Sequence, residues 1–199
     1  MDKIEIRQIS NAEIVADENR NVEGYALVFD APSDGLEWVE TIHAGAITDE
    51  TIGKSDVFAK LNHNDNAVLA RSKFGKGSLV LEVNGKGLKY LFEAPNTATG
   101  NELLEFLKRG DITASSFAFS IDKNDPTAEK WHRDTDGRLY RDIYKIARLY
   151  DVSPVFQPAF SATSVNVSKR FAEVKAQADE LAKIYEEKRK EINKLFPFE

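Results

Sequence analysis

The sequence contains no cysteine, which excludes thiol nucleophiles, disulfides and thiolate metal sites and fits a reducing compartment. No run of about 18 consecutive apolar residues is present, so no membrane-spanning helix is predicted. The first ten residues, "MDKIEIRQIS", lack the apolar core of a signal peptide, and none is expected. The formal net charge of -6 disfavours a nucleic-acid-binding surface, which would need a basic patch.

The remaining composition is typical of a folded chain, since 42% of the 199 residues are apolar and 30% are charged. Short runs of alternating apolar and polar residues, separated by turn residues, predict a mainly β domain, a barrel or sandwich with α additions. A short helix is predicted over 99–110, with Thr99 and Glu102 as a capping box and Gly110 at its end. The predicted strands cover 3–9, 22–30, 36–42, 57–63 and the segment 110–121, and predicted hairpins turn at Asn84-Gly85 and Asp136-Gly137.

The pattern changes near the C-terminus. From Ser168 to Phe196 apolar residues recur at steps of three and four, which predicts one long amphipathic helix. We therefore divide the chain into a β domain (1–167) and a C-terminal helix (168–199). The narrow apolar seam of this helix either packs back on the β domain or docks on a partner surface.

Two adjacent serines lie in the predicted strand "GDITASSFAFSI" (110–121). Because strand side chains alternate between faces, Ser115 shares the large apolar face of Phe117 and Phe119. Ser115 is therefore expected to bond a neighbouring carbonyl. Ser116 shares a face made only of alanine and serine, which leaves space for a substrate or a catalytic partner. Ser116 is thus the candidate nucleophile, unless the small face simply packs closely against a helix.

A serine nucleophile needs a base, and the chain has three histidines. His63 ends the predicted strand "VFAKLNH" and is the candidate base, although a lone histidine there is often structural. We expect His63 and Ser116 to lie on adjacent strands, within hydrogen-bond reach. His132 lies beside a polar turn, where it is expected to be solvated, and His43 lies in a loop-like stretch.

A third group should orient the base. Asp151 lies inside the apolar run "ARLYDVSPVF", where a carboxylate needs a partner. The partner is either the catalytic histidine or an ordinary one, such as Arg148 or a backbone N–H. A metal site at residues 63–65 is disfavoured, because three adjacent residues do not converge on one ion.

Taken together, these segments resemble the prohead (head maturation) proteases of tailed phages, a family whose fold is similar to herpesvirus assemblin. The resemblance covers residues 20–167 and rests on the order and spacing of several segments. These segments are "GYALVFD" (24–30), "HAGAI" (43–47), "LNHND" (61–65), "GKGLKYLFEAPNTATG" (85–100), "GDITASSFAF" (110–119) and "LYDVSPVFQPAFSATSV" (149–165).

The resemblance implies an assemblin-like β-barrel serine endopeptidase with peripheral helices. The family's catalytic histidine matches His63, its serine before Phe-x-Phe matches Ser116, and the acid of its L-x-[ED]-V-S segment matches Asp151. In assemblin the third member is a second histidine, so Asp151 could be structural. Two positions depart from the family pattern without touching these residues: Ala70 replaces a common glycine and His43 a common proline.

The implied substrates are the major capsid protein or scaffolding segments, cut inside the prohead in the host cytoplasm, with self-cleavage as a common accompaniment. No cofactor and no metal are implied, and we expect a homo-oligomer. On this reading the C-terminal helix serves self-association or contact with scaffold helices. Two other interpretations stay open: a catalytically inactive scaffolding or binding module of the same fold, and an unrelated β-barrel binding protein with dispersed His63, Ser116 and Asp151.

Overall fold

Three β-sheets and two helices make up the computed structural model, which describes residues 3–9, 12–33, 36–135 and 137–156. The helices are α1 (Asp49–Lys54) and α2 (Ala98–Arg109). The strands are β1 (Glu5–Ile9), β2 (Val15–Ala16), β3 (Asn21–Val28), β4 (Val39–Ile42), β5 (Asp56–Lys60), β6 (Val68–Lys73), β7 (Lys76–Gly77), β8 (Leu79–Val83), β9 (Gly87–Glu93), β10 (Ala114–Ser120), β11 (Glu129–Arg133), β12 (Leu139–Ile143) and β13 (Arg148–Val155).

The largest sheet has the order β1-β10-β13-β5-β6-β7, and its strands are antiparallel except for the parallel pair β13 and β5. A second, antiparallel sheet has the order β2-β3-β9-β8 and contains the predicted hairpin at Asn84-Gly85. In the third sheet, β11-β12-β4, β11 and β12 pair antiparallel as the two strands of a predicted hairpin, and β4 adds in parallel. The mainly β architecture with few helices agrees with the prediction.

The predicted barrel is not closed. The six-stranded sheet ends at β1 and β7, and in the described ranges no ladder of hydrogen bonds joins these edges to the four-stranded sheet. Side-chain packing holds the layers together instead, as the shared core contains Phe117 from one sheet, Tyr90 from the other and Leu103 from α2. The predicted C-terminal helix (168–199) and the end of the predicted β domain (157–167) lie outside the described residues.

The hydroxyl of Ser115 lies in the core shared by the two larger sheets. Ser115 Oγ shares a 2.8 Å hydrogen bond with the hydroxyl of Tyr90, so its partner is a side chain and not the expected carbonyl. Burial raises the pKa of the Tyr90 phenol, which therefore stays neutral. Gly24 makes room for this ring, because a Cβ at that position would lie 2.7 Å from the Tyr90 oxygen. Ser115 thus belongs to the packing of the domain.

Both helices differ from the prediction in detail. The N-cap of α2 is Thr97 and not Thr99, and its side chain accepts a hydrogen bond from the Gly100 amide. Gly110 ends the helix in the left-handed conformation (φ 75°), as expected. Helix α1 was not predicted, because six residues are too few to show a helical period; Thr48 caps it.

A buried cluster of charges joins the six-stranded sheet to the three-stranded one. Arg7 on β1 bonds Glu40 on β4, with 2.5 Å between Arg7 Nε and Glu40 Oε1. Arg141 on β12 reaches Glu5 and Glu40, each with a 2.8 Å contact, and Glu129 at 2.7 Å. Burial alone would raise the pKa of Glu40, but the two guanidinium groups outweigh it and lower that pKa to about 2.

Replacement of Arg141 by methionine tests the contribution of this cluster to stability. Arg141→Met leaves Glu5, Glu40 and Glu129 without their shared partner, so we expect the free energy of unfolding to fall by about 3–5 kcal/mol. Urea denaturation at neutral pH measures the change. The control Arg138→Met alters an exposed arginine and should stay within about 0.5 kcal/mol of the wild type. Equal stability of the two variants would contradict the assigned role.

His43 forms a second, partly exposed charge cluster. Its Nδ1 lies 2.8 Å from Asp30 Oδ1 and its Nε2 lies 2.9 Å from Asp142 Oδ1, while its ring stacks on Tyr144. Burial opposes protonation, but the hydrogen bonds to Asp142 and Asp30 outweigh it and raise the pKa of His43. Both ring nitrogens face carboxylate oxygens, which only accept hydrogen bonds, so the imidazolium form with its two N–H donors fits this position.

The raised pKa makes the contribution of His43 to stability dependent on pH. This contribution is complete below the pKa of an unfolded histidine, about 6.5, and is lost as the pH rises through the higher pKa of the folded state. The difference in unfolding free energy between wild type and His43→Gln should therefore be constant at acidic pH and shrink as the pH rises above about 6.5. Urea titrations at several pH values measure it, and a constant difference would show that the two carboxylates do not act on a charged ring.

Candidate active site

Ser116 and His63 are in contact. Ser116 lies on β10, is fully buried, and has its Oγ 2.5 Å from Nε2 of His63. The two side chains therefore lie within hydrogen-bond distance of each other, as expected. The expected adjacency of strands is wrong, because β13 lies between β10 and β5 and His63 follows β5 in a turn.

The turn after β5 brings the His63 ring to the side of the sheet that carries Ser116. Regular alternation would place His63 on the face of Val57 and Ala59, which is the core face. Asn62 and His63 instead both adopt left-handed backbone conformations, with φ of 55° and 57°, and these break the alternation. The Asn62 amide donates to the Pro154 carbonyl of β13 at 3.0 Å, which fixes the turn against that strand. Histidine is among the residues that tolerate this conformation best.

A β-bulge on β13 directs Asp151 to the face of the sheet that carries Ser116. Asp151 pairs with Ala118, but the next pair is Leu149 with Phe119, so Tyr150 is the extra residue. Without the bulge, Leu149 and Asp151 would share a face. With it, Leu149 enters the core while the Asp151 carboxylate lies beside the small Ala118. Asp151 Oδ1 lies 2.8 Å from Nδ1 of His63, so the imidazole ring lies between the carboxylate and the Ser116 hydroxyl.

Two further side chains contact the Asp151 carboxylate, and neither was predicted from the sequence. Ser153 is fully buried and donates to Asp151 Oδ1 at 3.0 Å, with its Oγ 3.3 Å from His63 Nδ1. Lys60 Nζ lies 3.6 Å from Asp151 Oδ2 and 2.7 Å from Asp65 Oδ1. The signal for Ser153 was its place two residues after Asp151, on the same strand face. Lys60 gave no such signal, because it faces the site only after two parallel strands are aligned.

The Ser116 hydroxyl has two acceptors within reach and one proton. Its Oγ lies 2.9 Å from the Arg7 carbonyl oxygen on β1, in addition to its contact with His63 Nε2. When Nε2 is unprotonated, the hydroxyl can donate to it and the serine is prepared for deprotonation. When the ring is an imidazolium, Nε2–H donates to Oγ and the hydroxyl turns to Arg7. The protonation state of His63 therefore selects the direction of the hydroxyl.

The other titratable residues considered in the sequence lie elsewhere. Arg148 donates to the Lys54 carbonyl at 3.0 Å, and His132 contacts Asp142 at 3.3 Å. Within the described residues, no group of three or more histidine, aspartate or glutamate side chains is arranged to hold a metal ion. Neither of the two described helices is long and apolar enough to cross a membrane.

Comparisons with known proteins identify the family of this chain. A family model described as caudovirus prohead serine protease matches residues 4–177. Among solved structures, the chain is similar to the capsid assembly protease of bacteriophage T4, with 12% sequence identity and a TM-score of 0.48 over 78% of this chain and 98% of that one. No match was found among curated proteins. Because the family match spans most of the chain, including the segments that carry His63, Ser116 and Asp151, this chain belongs to the family of caudovirus prohead serine proteases.

Proposed function

We propose that this chain is an endopeptidase of phage head maturation in which Ser116 is the nucleophile, His63 the general base and Asp151 the residue that orients the base. The observation that carries the proposal is the position of the His63 ring, with Nε2 2.5 Å from Ser116 Oγ and Nδ1 2.8 Å from Asp151 Oδ1. A nucleophile, a base and an orienting carboxylate in this order can perform acyl transfer.

The reaction then proceeds in two stages. Ser116 Oγ attacks the carbonyl carbon of the scissile peptide while its proton moves to His63 Nε2. The C–N bond breaks as His63 returns that proton to the departing amine, which leaves an ester on Ser116. In the second stage water gives a proton to His63 Nε2 and attacks the ester carbon; the C–O bond to Ser116 then breaks, His63 returns the proton to Ser116 Oγ, and the carboxyl product is released. Asp151 accepts the Nδ1–H bond throughout and stabilises the imidazolium that forms in each stage.

Access to the nucleophile is restricted in this form of the site. Ser116 has no exposed surface, and the side chain of His63 retains 20%. A peptide can reach the hydroxyl only after the groups that cover it are displaced. Productive binding therefore includes a local opening, and the proposed catalytic contacts form before the substrate arrives.

The proposed substrates are the capsid protein or its scaffolding segments, cut inside the prohead within the host cell, and the chain itself. The family assignment supports a capsid-assembly substrate, and the T4 relative is named as a capsid assembly protease. We also propose a division at about residue 167, with residues 168–199 serving self-association or scaffold contact. Those residues lie outside the described part of the chain.

The two adjacent serines provide a matched pair of variants. Ser116→Ala should abolish cleavage of the capsid or scaffolding protein, because loss of a nucleophile costs several orders of magnitude in rate. Ser115→Ala should largely retain cleavage, since Ser115 bonds the core residue Tyr90. Gel analysis of co-expressed protease and capsid proteins measures both variants. Wild-type cleavage by Ser116→Ala would refute the assigned nucleophile.

A variant of Ser153 tests whether the proposed triad depends on the hydrogen bond from Ser153 to Asp151. Ser153→Ala removes the donor that holds the Asp151 carboxylate in its orientation, so the His63 ring is positioned less precisely and kcat/KM should fall by about tenfold or more. The carboxylate also loses a hydrogen bond that disperses its charge, so it favours the imidazolium of the free enzyme more strongly, and the acid limb of the pH–rate profile should move to higher pH. The control Ser115→Ala also removes a buried serine hydroxyl of β10, which bonds Tyr90 in the core, and should leave the profile in place. An unmoved acid limb in Ser153→Ala would assign Ser153 to packing alone.

A further inference from the structure

Gln8 presents a buried polar atom next to the proposed nucleophile. It lies on β1 directly opposite Ser116 in the antiparallel pair β1–β10, so the two side chains project from the same face of the sheet. The Gln8 Oε1 atom is shielded from solvent and has no hydrogen-bond partner among the described residues. A buried carbonyl oxygen without a donor is destabilising, and such atoms are rare in folded proteins.

Gln8 and His63 lie on opposite sides of Ser116. The register places Gln8, Ser116 and Ser153 in one row across β1, β10 and β13. His63 approaches Ser116 from the Ser153 side, because its Nδ1 lies 3.3 Å from Ser153 Oγ. Gln8 therefore flanks Ser116 on the side away from the proposed base.

The chemistry of peptide cleavage decides which half of a substrate meets Gln8. The departing amine must lie near His63 Nε2, since that atom protonates it. The acyl half of the substrate then extends to the other flank of Ser116, toward β1. Every residue of that half except proline carries a main-chain N–H, and an N–H is the donor that Gln8 Oε1 lacks.

We propose that Gln8 binds the substrate, with its Oε1 accepting a hydrogen bond from a main-chain N–H on the acyl side of the scissile bond. The inference rests on the function proposed for Ser116. Rotation about the last side-chain bond of Gln8 is soft and lets the oxygen meet the peptide. The contact orients the substrate without reading its side chains, and it excludes proline at the residue that donates the N–H.

Two serine-directed reagents separate this contact from the chemistry at Ser116. Diisopropyl fluorophosphate contains no N–H, whereas an N-acyl-1-aminoethylphosphonate diphenyl ester contains one on the acyl side of its reactive centre. In each case Ser116 Oγ forms a bond to phosphorus, fluoride or phenoxide leaves, and His63 takes the proton. Intact-protein mass spectrometry of the full chain gives the rate of adduct formation with each reagent.

The readout is the ratio of the phosphonate rate to the fluorophosphate rate, because a general disturbance of Ser116 slows both reagents. Gln8→Met removes the acceptor at similar volume and should lower the ratio about three- to tenfold, as expected for one neutral hydrogen bond. Gln8→Glu keeps an acceptor oxygen and should preserve the ratio. Methylation of the reagent's nitrogen should slow the wild type by a similar factor and leave Gln8→Met unaffected.

The outcomes distinguish the two proposals. An unchanged ratio in Gln8→Met, with both reagents still forming the Ser116 adduct, would overturn the role of Gln8 and leave the proposed nucleophile intact. Failure of both reagents to label the folded wild type would overturn the function of Ser116, and with it the role of Gln8. A ratio lowered equally in Gln8→Met and Gln8→Glu would show that the side chain acts as a donor, which also contradicts the proposal.

Discussion

The 2.8 Å ion-pair contact between Asp151 Oδ1 and His63 Nδ1 is the interaction on which the site depends. A carboxylate only accepts hydrogen bonds, so its position 2.8 Å from Nδ1 favours a proton on that nitrogen and, in the neutral ring, a lone pair on Nε2 directed at Ser116. Two unusual features of the surrounding backbone contribute to this contact. The bulge at Tyr150 sends Asp151 to the site face, and the left-handed turn at 62–63 brings the ring over it. Ser153 and Lys60 also contact the Asp151 carboxylate and stabilise its negative charge.

Strand β10 connects the site to the stability of the domain. One of its faces carries Phe117 and Phe119 into the core, and the other carries Ser116. Its neighbour β1 holds Arg7, whose side chain belongs to the buried charge cluster and whose carbonyl lies 2.9 Å from the Ser116 hydroxyl. The charge cluster therefore anchors the strand that provides the second acceptor for the proposed nucleophile and, through Gln8, the proposed contact with the substrate.

The sequence predicted the strands and the pair of serine faces well, because a period of two is a local property. The alternation of side chains alone assigned Ser115 to the core face and Ser116 to the opposite face. The open arrangement of the sheets, the bulge at Tyr150 and the left-handed turn at His63 could not be predicted, since each depends on which strands become neighbours. For the same reason Ser153 and Gln8 were missed: both are ordinary polar residues until the register places them beside Ser116.

The tautomer of His63 is the decisive measurement for the proposed roles of Ser116, His63 and Asp151. The chain has only three histidines, so ¹⁵N-histidine labelling gives a spectrum in which His43→Gln and His132→Gln assign two of the rings. At a pH where the His63 ring is neutral, we expect a protonated Nδ1 and a bare Nε2, and we expect Asp151→Asn to abolish this preference. A proton on Nε2 in the wild type would refute the assigned base, because that nitrogen could not then accept the proton of Ser116.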